Sequence, residues 1–143
     1  MMAFGCEGGA GVGAARYVAF ALRGRGYSNV FTSVPSVRDC GEPIVVRQHE
    51  WMREARFDDG TERGAERVRV YVCMDGEVDA ESTANAVVRD LRLVDWSSVP
   101  VDEGMRIVSV DVGVPAELGR DGSGRWVRTV DVLCTVVRPC GEE

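Results

Sequence analysis

Lysine is absent from this sequence of 143 residues, and all 17 of its basic side chains are arginine. The absence excludes a Schiff-base lysine, a catalytic lysine and the lysine with which a Walker A loop reaches the terminal phosphates. Acidic residues outnumber basic ones, for a formal net charge of −6. General nucleic-acid binding draws most of its affinity from neutralising phosphates, so this balance argues against such a task.

Histidine and closely spaced cysteines are scarce as well. His49 is the single histidine, and it stands next to Glu50 near the end of a predicted strand, so the two side chains point to opposite faces. No C-x-x-C spacing occurs among the five cysteines, which are Cys6, Cys40, Cys73, Cys134 and Cys140. Structural zinc sites usually take four ligands in two close pairs. We therefore expect free thiols, no metal, no cofactor and no enzymatic activity.

Long apolar runs are missing too. No stretch approaches the roughly 20 apolar residues of a membrane-spanning helix, and the first residues lack the basic-then-apolar pattern of a secretory signal. With 45% hydrophobic and 28% charged residues, the composition is that of a folded protein. We expect one domain over residues 1–143, soluble and intracellular.

Glycine, by contrast, is concentrated near the N-terminus, where residues 8–15 read GGAGVGAA. A Walker A loop needs Lys-Ser or Lys-Thr after its last glycine, and Ala14 and Ala15 stand there instead. A dinucleotide fingerprint follows a buried strand, and the preceding MMAFGCE is too short and glycine-interrupted to form one. Each glycine costs about 1 kcal/mol inside a helix. We therefore predict a flexible leader over residues 1–13 and a helix that begins near Gly13.

Two stretches carry the apolar spacing of helices that pack on a sheet. The first covers residues 14–23, and the second follows Asp79, which is a predicted N-cap. The residues predicted to face the core are Ala15, Val18, Ala19, Leu22, Ala80, Ala84, Val87, Val88 and Leu91.

Alternating patterns predict the strands. In ERVRVYVCM, the apolar residues Val68, Val70, Val72 and Met74 alternate with residues of a second, wetter face. Residues 105–114 alternate through Val108 to Val114, and a GRDGSG turn leads into a long strand over 125–138 and a polar tail over 139–143. The element order predicts an α+β protein, with two helices packed on one face of a mainly antiparallel sheet of about five strands. The sheet order stays open.

The segment 51–66, WMREARFDDGTERGAE, is dense in charges of both signs and contains an Asp-Gly turn. We expect an extended, solvated hairpin connection rather than core. Its two large aromatic residues either fold back on the core or anchor a contact, and arginine is favoured at protein interfaces. The predicted subunit-interface residues are Trp51, Arg53, Arg56, Phe57 and Arg63.

The order of elements over residues 14–138 resembles the small tail-terminator and neck proteins of long-tailed bacteriophages and prophages. The resemblance rests on NVFTSVPS, GEPIVVRQHE, ERVRVYVCM, DAESTANAVVRDL and the ending VDVGVPAELGRDGSGRWVRTVDVLCTVVR. It implies a non-enzymatic virion protein that forms a ring, usually hexameric, at the end of the tail tube, stops tube polymerisation and joins the tail to the head. The implied partners are copies of itself, the tail-tube protein and a head-completion protein, without a membrane or sequence-specific nucleic acid. The implied location is the host cytoplasm during assembly and then the virion neck.

Two alternatives remain open. A head–tail connector of the same neck differs from a terminator in its partner rather than in its physics. A small cytosolic ligand-binding or enzymatic α+β domain belongs to a different class, and a concave pocket with converging titratable groups would favour it. The acidic balance suits a ring lumen through which DNA slides, a hypothesis that predicts an inner wall not dominated by arginine.

Overall fold

A computed structural model describes residues 7–140, with side chains from Gly13 onward. Within these described residues, two helices and six strands follow one another, together with a short 3-10 helix at Trp96–Ser98. In chain order they are α1 (Glu7–Gly24), β1 (Val30–Phe31), β2 (Ile44–Arg56), β3 (Thr61–Met74), α2 (Glu77–Arg92), β4 (Arg106–Val112), β5 (Ala116–Arg120) and β6 (Trp126–Pro139). The predicted α+β class is confirmed, with six strands where about five were expected.

The sheet has the order β1-β2-β3-β6-β4, and β5 also pairs with β6. In the part of the chain that the structure describes, only the short β1–β2 pairing is parallel, and the other pairings are antiparallel. β4 and β5 occupy the same edge of β6, because β4 pairs with residues 132–137 and β5 with residues 126–129. The long strands β2, β3 and β6 therefore form the centre of the sheet.

The two helices pack on one face of this sheet, as predicted. The helical residues predicted to face the core are all buried, and all of them except Ala80 join the alternating valines of β3 and β6 in one apolar cluster. Val68, Val70 and Val72 are fully buried, and Met74 packs at the edge of the cluster. The opposite face carries no helix within residues 7–140, and we call it the open face.

Helix α1 begins at Glu7, well before the start predicted near Gly13. Residues 7–13 of the predicted leader are thus helical, and its residues 1–6 lie outside the described residues. The helix lies close to β3 at Gly13, where an added Cβ would be 3.6 Å from Oε1 of Glu66. At the other end of the chain, the Cys140 amide donates to the Gly60 carbonyl at 2.8 Å, and residues 141–143 of the predicted tail lie outside the described residues.

Apart from the turn at residues 57–60, the charged segment 51–66 is paired sheet rather than a solvated connection, which corrects the prediction. β2 and β3 pair from Ile44 opposite Val72 to Arg56 opposite Glu62. Only residues 57–60 connect the strands, and Gly60 has the positive φ of +89° that favours glycine. Strand pairing uses backbone groups. Charged side chains are therefore compatible with it when water or an oppositely charged side chain is available to them on their face of the sheet.

Two smaller expectations were also wrong. Helix α2 begins at Glu77 with Gly76 as its N-cap, and Asp79 lies in the first turn, where its charge favours the helix dipole. In β4, a register shift between Ile107 and Ser109 breaks the predicted alternation. As a result Ile107 packs against the core while Val108 is 38% exposed.

Candidate functional site

Four side chains form a compact cluster where the β2–β3 hairpin ends. We call Trp51, Arg53, Glu62 and Arg138 the hairpin cluster. Glu62 is only 4% exposed, and its two oxygens accept from Arg53 Nη1 at 3.2 Å and from Arg138 Nε at 3.0 Å. The Arg138 guanidinium also lies 3.7 Å from the centroid of the Trp51 ring. Arg138 therefore joins a carboxylate and an aromatic ring, a pairing for which a planar guanidinium is well suited.

The pairing register explains why these residues meet. Glu62 stands opposite Arg138 of β6, and Trp51 stands opposite Glu66 of β3, so all of these side chains share the helix-bearing face. Burial opposes ionisation of Glu62, but its hydrogen bonds to Arg138 and Arg53 outweigh burial and lower the pKa of its carboxyl. Glu62 is therefore a carboxylate at neutral pH.

Gly64 lets the Trp51 ring lie flat against β3. A Cβ at Gly64 would be 2.7 Å from a carbon of the Trp51 ring and 2.5 Å from the Met52 carbonyl oxygen. Both distances are shorter than real contacts allow, so any other residue would displace the ring or the strand. The glycine in this charged segment thus has a packing role.

Glu66 is fully buried between α1 and the sheet. Neither of its carboxylate oxygens has a hydrogen-bond partner of normal geometry within the described residues, and a weak backbone interaction with Ala14 only partly offsets the burial. Burial dominates and raises the pKa of Glu66. Burial likewise raises the pKa of its neighbour Cys134 to about 12. A buried polar group without a hydrogen-bond partner lowers the free energy of unfolding by about 1–3 kcal/mol. We therefore expect Glu66 to destabilise the fold.

The structure distributes the five predicted interface residues over different environments. Trp51 folds back on the core, whereas Phe57 remains 43% exposed at the hairpin turn. Arg53 pairs with Glu62, and Arg63 Nε lies 3.5 Å from a Glu54 oxygen on the other face of the hairpin. Arg56 lies on the helix-bearing face, opposite Glu62. Their role at a subunit interface remains a prediction.

A groove of about 500 Å³ lies on the open face at the opposite end of the sheet from the hairpin turn. Its apolar lining comes from β2, β5, β6 and the loop after β1, and includes Val34, Val45, Leu118 and Val127. Arg47, His49 and Tyr71 also line it, and His49 Nε2 is 2.8 Å from the Tyr71 hydroxyl.

One wall of the groove is fixed by Arg125. This buried guanidinium donates from Nε to Asp121 at 2.9 Å and from Nη1 to the Gly41 carbonyl at 3.2 Å. It thereby joins the β5–β6 turn to the loop that precedes β2. Burial opposes ionisation of Asp121, but donors including Arg125 outweigh it and lower the pKa of Asp121.

Cys73 lies in the same groove and is not activated as a nucleophile. Burial raises the pKa of its thiol, although the nearby Arg125 charge acts in the other direction. A thiol is nucleophilic only as the thiolate, so Cys73 stays in its unreactive form at neutral pH. The groove is therefore suited to binding rather than to cysteine chemistry.

Two long strand edges stay open within residues 7–140. β1 covers only the first two residues of β2, so the outer edge of β2 from Val46 onward has no strand beside it. Among the described strands, β4 likewise pairs with one neighbour, β6. Open edges invite pairing with another chain, although both strands carry bulges that limit it.

Neither a metal centre nor a spanning helix is found among residues 7–140. No group of three or more His, Cys, Asp or Glu side chains is arranged there to hold a metal ion. No helix of that part of the chain has the length and apolar character needed to cross a membrane.

Sequence reasoning missed Glu66, Arg138 and the groove. The alternation recognised over Val68 to Met74 continues backwards to Glu66, Gly64 and Glu62, and this continuation would have placed all three on the buried face. The groove had no such signal, because its walls come from elements whose order in the sheet is not readable from local patterns.

Comparisons with known proteins give one kind of match. No protein-family model matches the sequence, and no curated protein matches it either. Among solved structures, the fold is similar to a chain of the "Virion of native gene transfer agent (GTA) particle", with a TM-score of 0.63 and 14% sequence identity. The match covers 92% of this chain and 98% of that one. The two chains therefore share a fold along almost their entire lengths.

Proposed function

We propose that this protein is a structural component of a phage-like virion, and that it acts as a tail terminator. In this role its copies form a ring on the end of the tail tube, stop tube polymerisation and join the tail to the head. The observation that carries the proposal is the fold shared with a chain of a gene transfer agent virion over 92% of this chain and 98% of that one. The element order from residue 14 to residue 138 supports the same assignment.

The surface of the subunit is compatible with assembly. The outer edges of β2 and β4 are unpaired in the described part of the chain, and an exposed aromatic residue, Phe57, stands at the hairpin turn. Such features leave backbone and apolar groups available to neighbouring subunits. The proposed partners are further copies of this chain, the tail-tube protein and a head-completion protein, in the cytoplasm of the host and then in the virion neck.

The proposed role is tested by tube-length control. The proposed partner, a phage tail-tube protein, is polymerised with and without this protein, and the tubes are measured by negative-stain electron microscopy. A terminator produces ring density at one tube end and halts elongation from that end. Tubes that grow unchanged, with no density at either end, contradict the terminator role.

The same preparations separate the alternatives. A head–tail connector would leave tube length unchanged and bind the head-completion protein or the head instead. A ligand-binding domain would bind neither assembly. The groove is the observation that favours this last alternative, but its thiol is protonated and its wall arginine is already paired with Asp121.

A further inference from the structure

The hairpin turn and the groove lie at opposite ends of the same strand. We call residues 57–60 the hairpin tip; they follow the last residue of β2, whereas Val45 near its first residue lines the groove. At about 3.3 Å per residue, the strand between Val45 and Phe57 spans about 40 Å. A tip therefore cannot reach the groove of its own chain, and any contact between them joins two copies.

Hydrogen bonds fix the conformation of the hairpin tip within a single chain. The Phe57 amide donates to the Thr61 carbonyl at 2.8 Å, and the Gly60 amide donates to the Phe57 carbonyl at 3.2 Å. Asp59 accepts from the amide and hydroxyl of Thr61, which lowers the pKa of its carboxyl, and the Cys140 amide holds the Gly60 carbonyl. A fixed turn loses little conformational entropy on binding. Phe57 is thus presented as a preorganised apolar anchor, 43% exposed.

The groove offers the matching chemistry. Its lining is mainly apolar, and Leu118 and Val34 remain largely exposed at its rim. Arg47 is a cation at this rim, and within the described residues its side chain has no ion pair or hydrogen bond. Its cross-strand neighbour Arg69 is already engaged by Asp131, with Nε 2.7 Å from Oδ1. An incoming anion therefore meets Arg47 as the available charge.

The hairpin tip carries such an anion. Asp58 is exposed beside Phe57, and no partner holds its carboxylate in the described part of the chain. Asp59 adds a second negative charge to the tip. The tip thus combines an aromatic ring with net negative charge, and the groove combines an apolar floor with an unpaired arginine.

We propose that the hairpin tip of one copy docks in the groove of the next, with Phe57 on the apolar floor and Asp58 paired with Arg47. This inference rests on the proposed ring assembly and specifies its subunit contact. The contact joins two different surfaces, the tip at one end of the sheet and the groove at the other, and in the proposed ring it repeats head-to-tail from copy to copy. Head-to-tail contacts of this kind close into a ring when the rotation between copies permits.

A mixing experiment tests whether the tip of one copy binds the groove of another. Phe57→Ala removes the anchor and Arg47→Glu reverses the groove charge, so each variant alone should weaken self-association by more than about tenfold in light scattering. In an equimolar mixture, one intact contact remains, between the wild-type tip of the groove variant and the wild-type groove of the tip variant. The expected product is a heterodimer that does not grow. A mixture that stays monomeric, or that restores larger assemblies, overturns the proposal.

Charge exchange within one chain provides a second arm. Asp58→Arg should disrupt assembly, and the double variant Asp58→Arg with Arg47→Glu should recover it. Arg89→Glu and Leu93→Ala, which change exposed residues at the other face of the sheet, are the matched controls and should assemble as wild type does. Phe57→Leu retains an apolar anchor and should retain most of the association. Thermal unfolding of each variant establishes that it is folded.

Cross-linking locates the contact directly. A benzophenone amino acid at position 57 is irradiated in the assembled protein, alone or on the tail tube, and the adducts are mapped by mass spectrometry. Adducts on residues 43–49 or around Leu118 and Val127 of another copy support the proposal. Adducts on the tube protein, on another surface, or none at all overturn it. Rings on tube ends with adducts elsewhere leave the terminator role standing, whereas unchanged tubes contradict that role itself.

Discussion

Glu62 and Glu66 lie on the same face of β3 and are both almost fully buried, yet of the two only Glu62 forms ion pairs within residues 7–140. Glu62 is held between Arg53 and Arg138, whereas neither oxygen of Glu66 accepts a hydrogen bond in the described part of the chain. Their exposures of 4% and 0% are nearly equal. The difference in partners gives the two carboxyl groups pKa shifts of opposite direction, and therefore opposite effects on stability.

Replacing Glu66 with glutamine should stabilise the protein at neutral pH. Burial raises the folded-state pKa of Glu66 above its ordinary value of 4.5. The contribution of Glu66 to the free energy of unfolding is therefore fully present below pH 4.5 and is lost as the pH rises through the raised pKa. Glu66→Gln removes this loss, so we expect a gain of about 1 kcal/mol in unfolding free energy at neutral pH. Urea unfolding across this pH range measures it, and a variant less stable than wild type at neutral pH contradicts the assignment.

The matched substitution at Glu62 should act in the other direction. The folded-state pKa of Glu62 is lowered. Its contribution to the free energy of unfolding is therefore present above pH 4.5 and is lost as the pH falls through the lowered pKa. Glu62→Gln weakens two charge-assisted hydrogen bonds, and we expect a loss of about 1–3 kcal/mol at neutral pH. The loss should shrink in acid, where wild-type Glu62 is itself protonated. Equal effects of both glutamine substitutions at every pH would refute the contrast between the two sites.

The same strand shows how far the sequence determines the fold. The alternation of Val68, Val70 and Val72 was sufficient to predict a half-buried strand, because side-chain direction has a period of two. The local charge density of residues 51–66 then suggested solvated loop, although the period continues unbroken to Glu62. Charge density describes only the composition of a segment, whereas periodicity describes which face of the sheet each side chain points to. In β3, the side-chain direction determines that Glu62 and Glu66 are buried.

The groove marks the limit of that reasoning. Val34, Leu118 and Val127 meet because β5 and the loop after β1 converge on the open face. Sheet order depends on long-range packing, which no local pattern specifies. The bulge between Ile107 and Ser109 has the same origin, since the register with β6 overrides the alternation within β4.

Gly13→Ala should test the helical state of the glycine-rich segment. The position is inside α1, and an added Cβ would lie 3.6 Å from Glu66 Oε1, an ordinary contact distance. Alanine then improves helix propensity without a clash, and we expect a gain of about 0.5–1 kcal/mol in thermal unfolding. Gly24→Ala, at the last residue of the helix, where an added Cβ meets nothing within 4 Å, should gain less. A destabilised Gly13→Ala variant would mean that α1 does not occupy this position against β3.

Gly64→Ala should destabilise the protein strongly. The new methyl group would meet the Trp51 ring at 2.7 Å and the Met52 carbonyl at 2.5 Å. Overpacking of this kind costs about 1–3 kcal/mol, and the total tryptophan fluorescence should change as the Trp51 ring is displaced. Gly122→Ala is the control, because a Cβ added at this turn position would meet nothing within 4 Å. It should change the free energy of unfolding by less than about 0.5 kcal/mol. A Gly64→Ala variant as stable as this control would show that the ring does not lie on the strand.

Arg138→Lys should reveal how much the hairpin cluster depends on a planar cation. Arg138 donates to Glu62 at 3.0 Å, and its guanidinium lies 3.7 Å from the Trp51 ring centroid. The ammonium group of lysine is not planar, so it cannot stack on the ring and donate to the carboxylate in the same way. We expect a loss of about 1 kcal/mol in urea unfolding. Arg63→Lys is the matched control, because Arg63 faces solvent and contacts Glu54 at 3.5 Å, so its loss should stay below about 0.5 kcal/mol.

Combining Arg138→Lys with Trp51→Leu should cost less than the sum of the two single losses, since both remove the same stacking contact. Strictly additive losses would show that Arg138 acts through Glu62 alone.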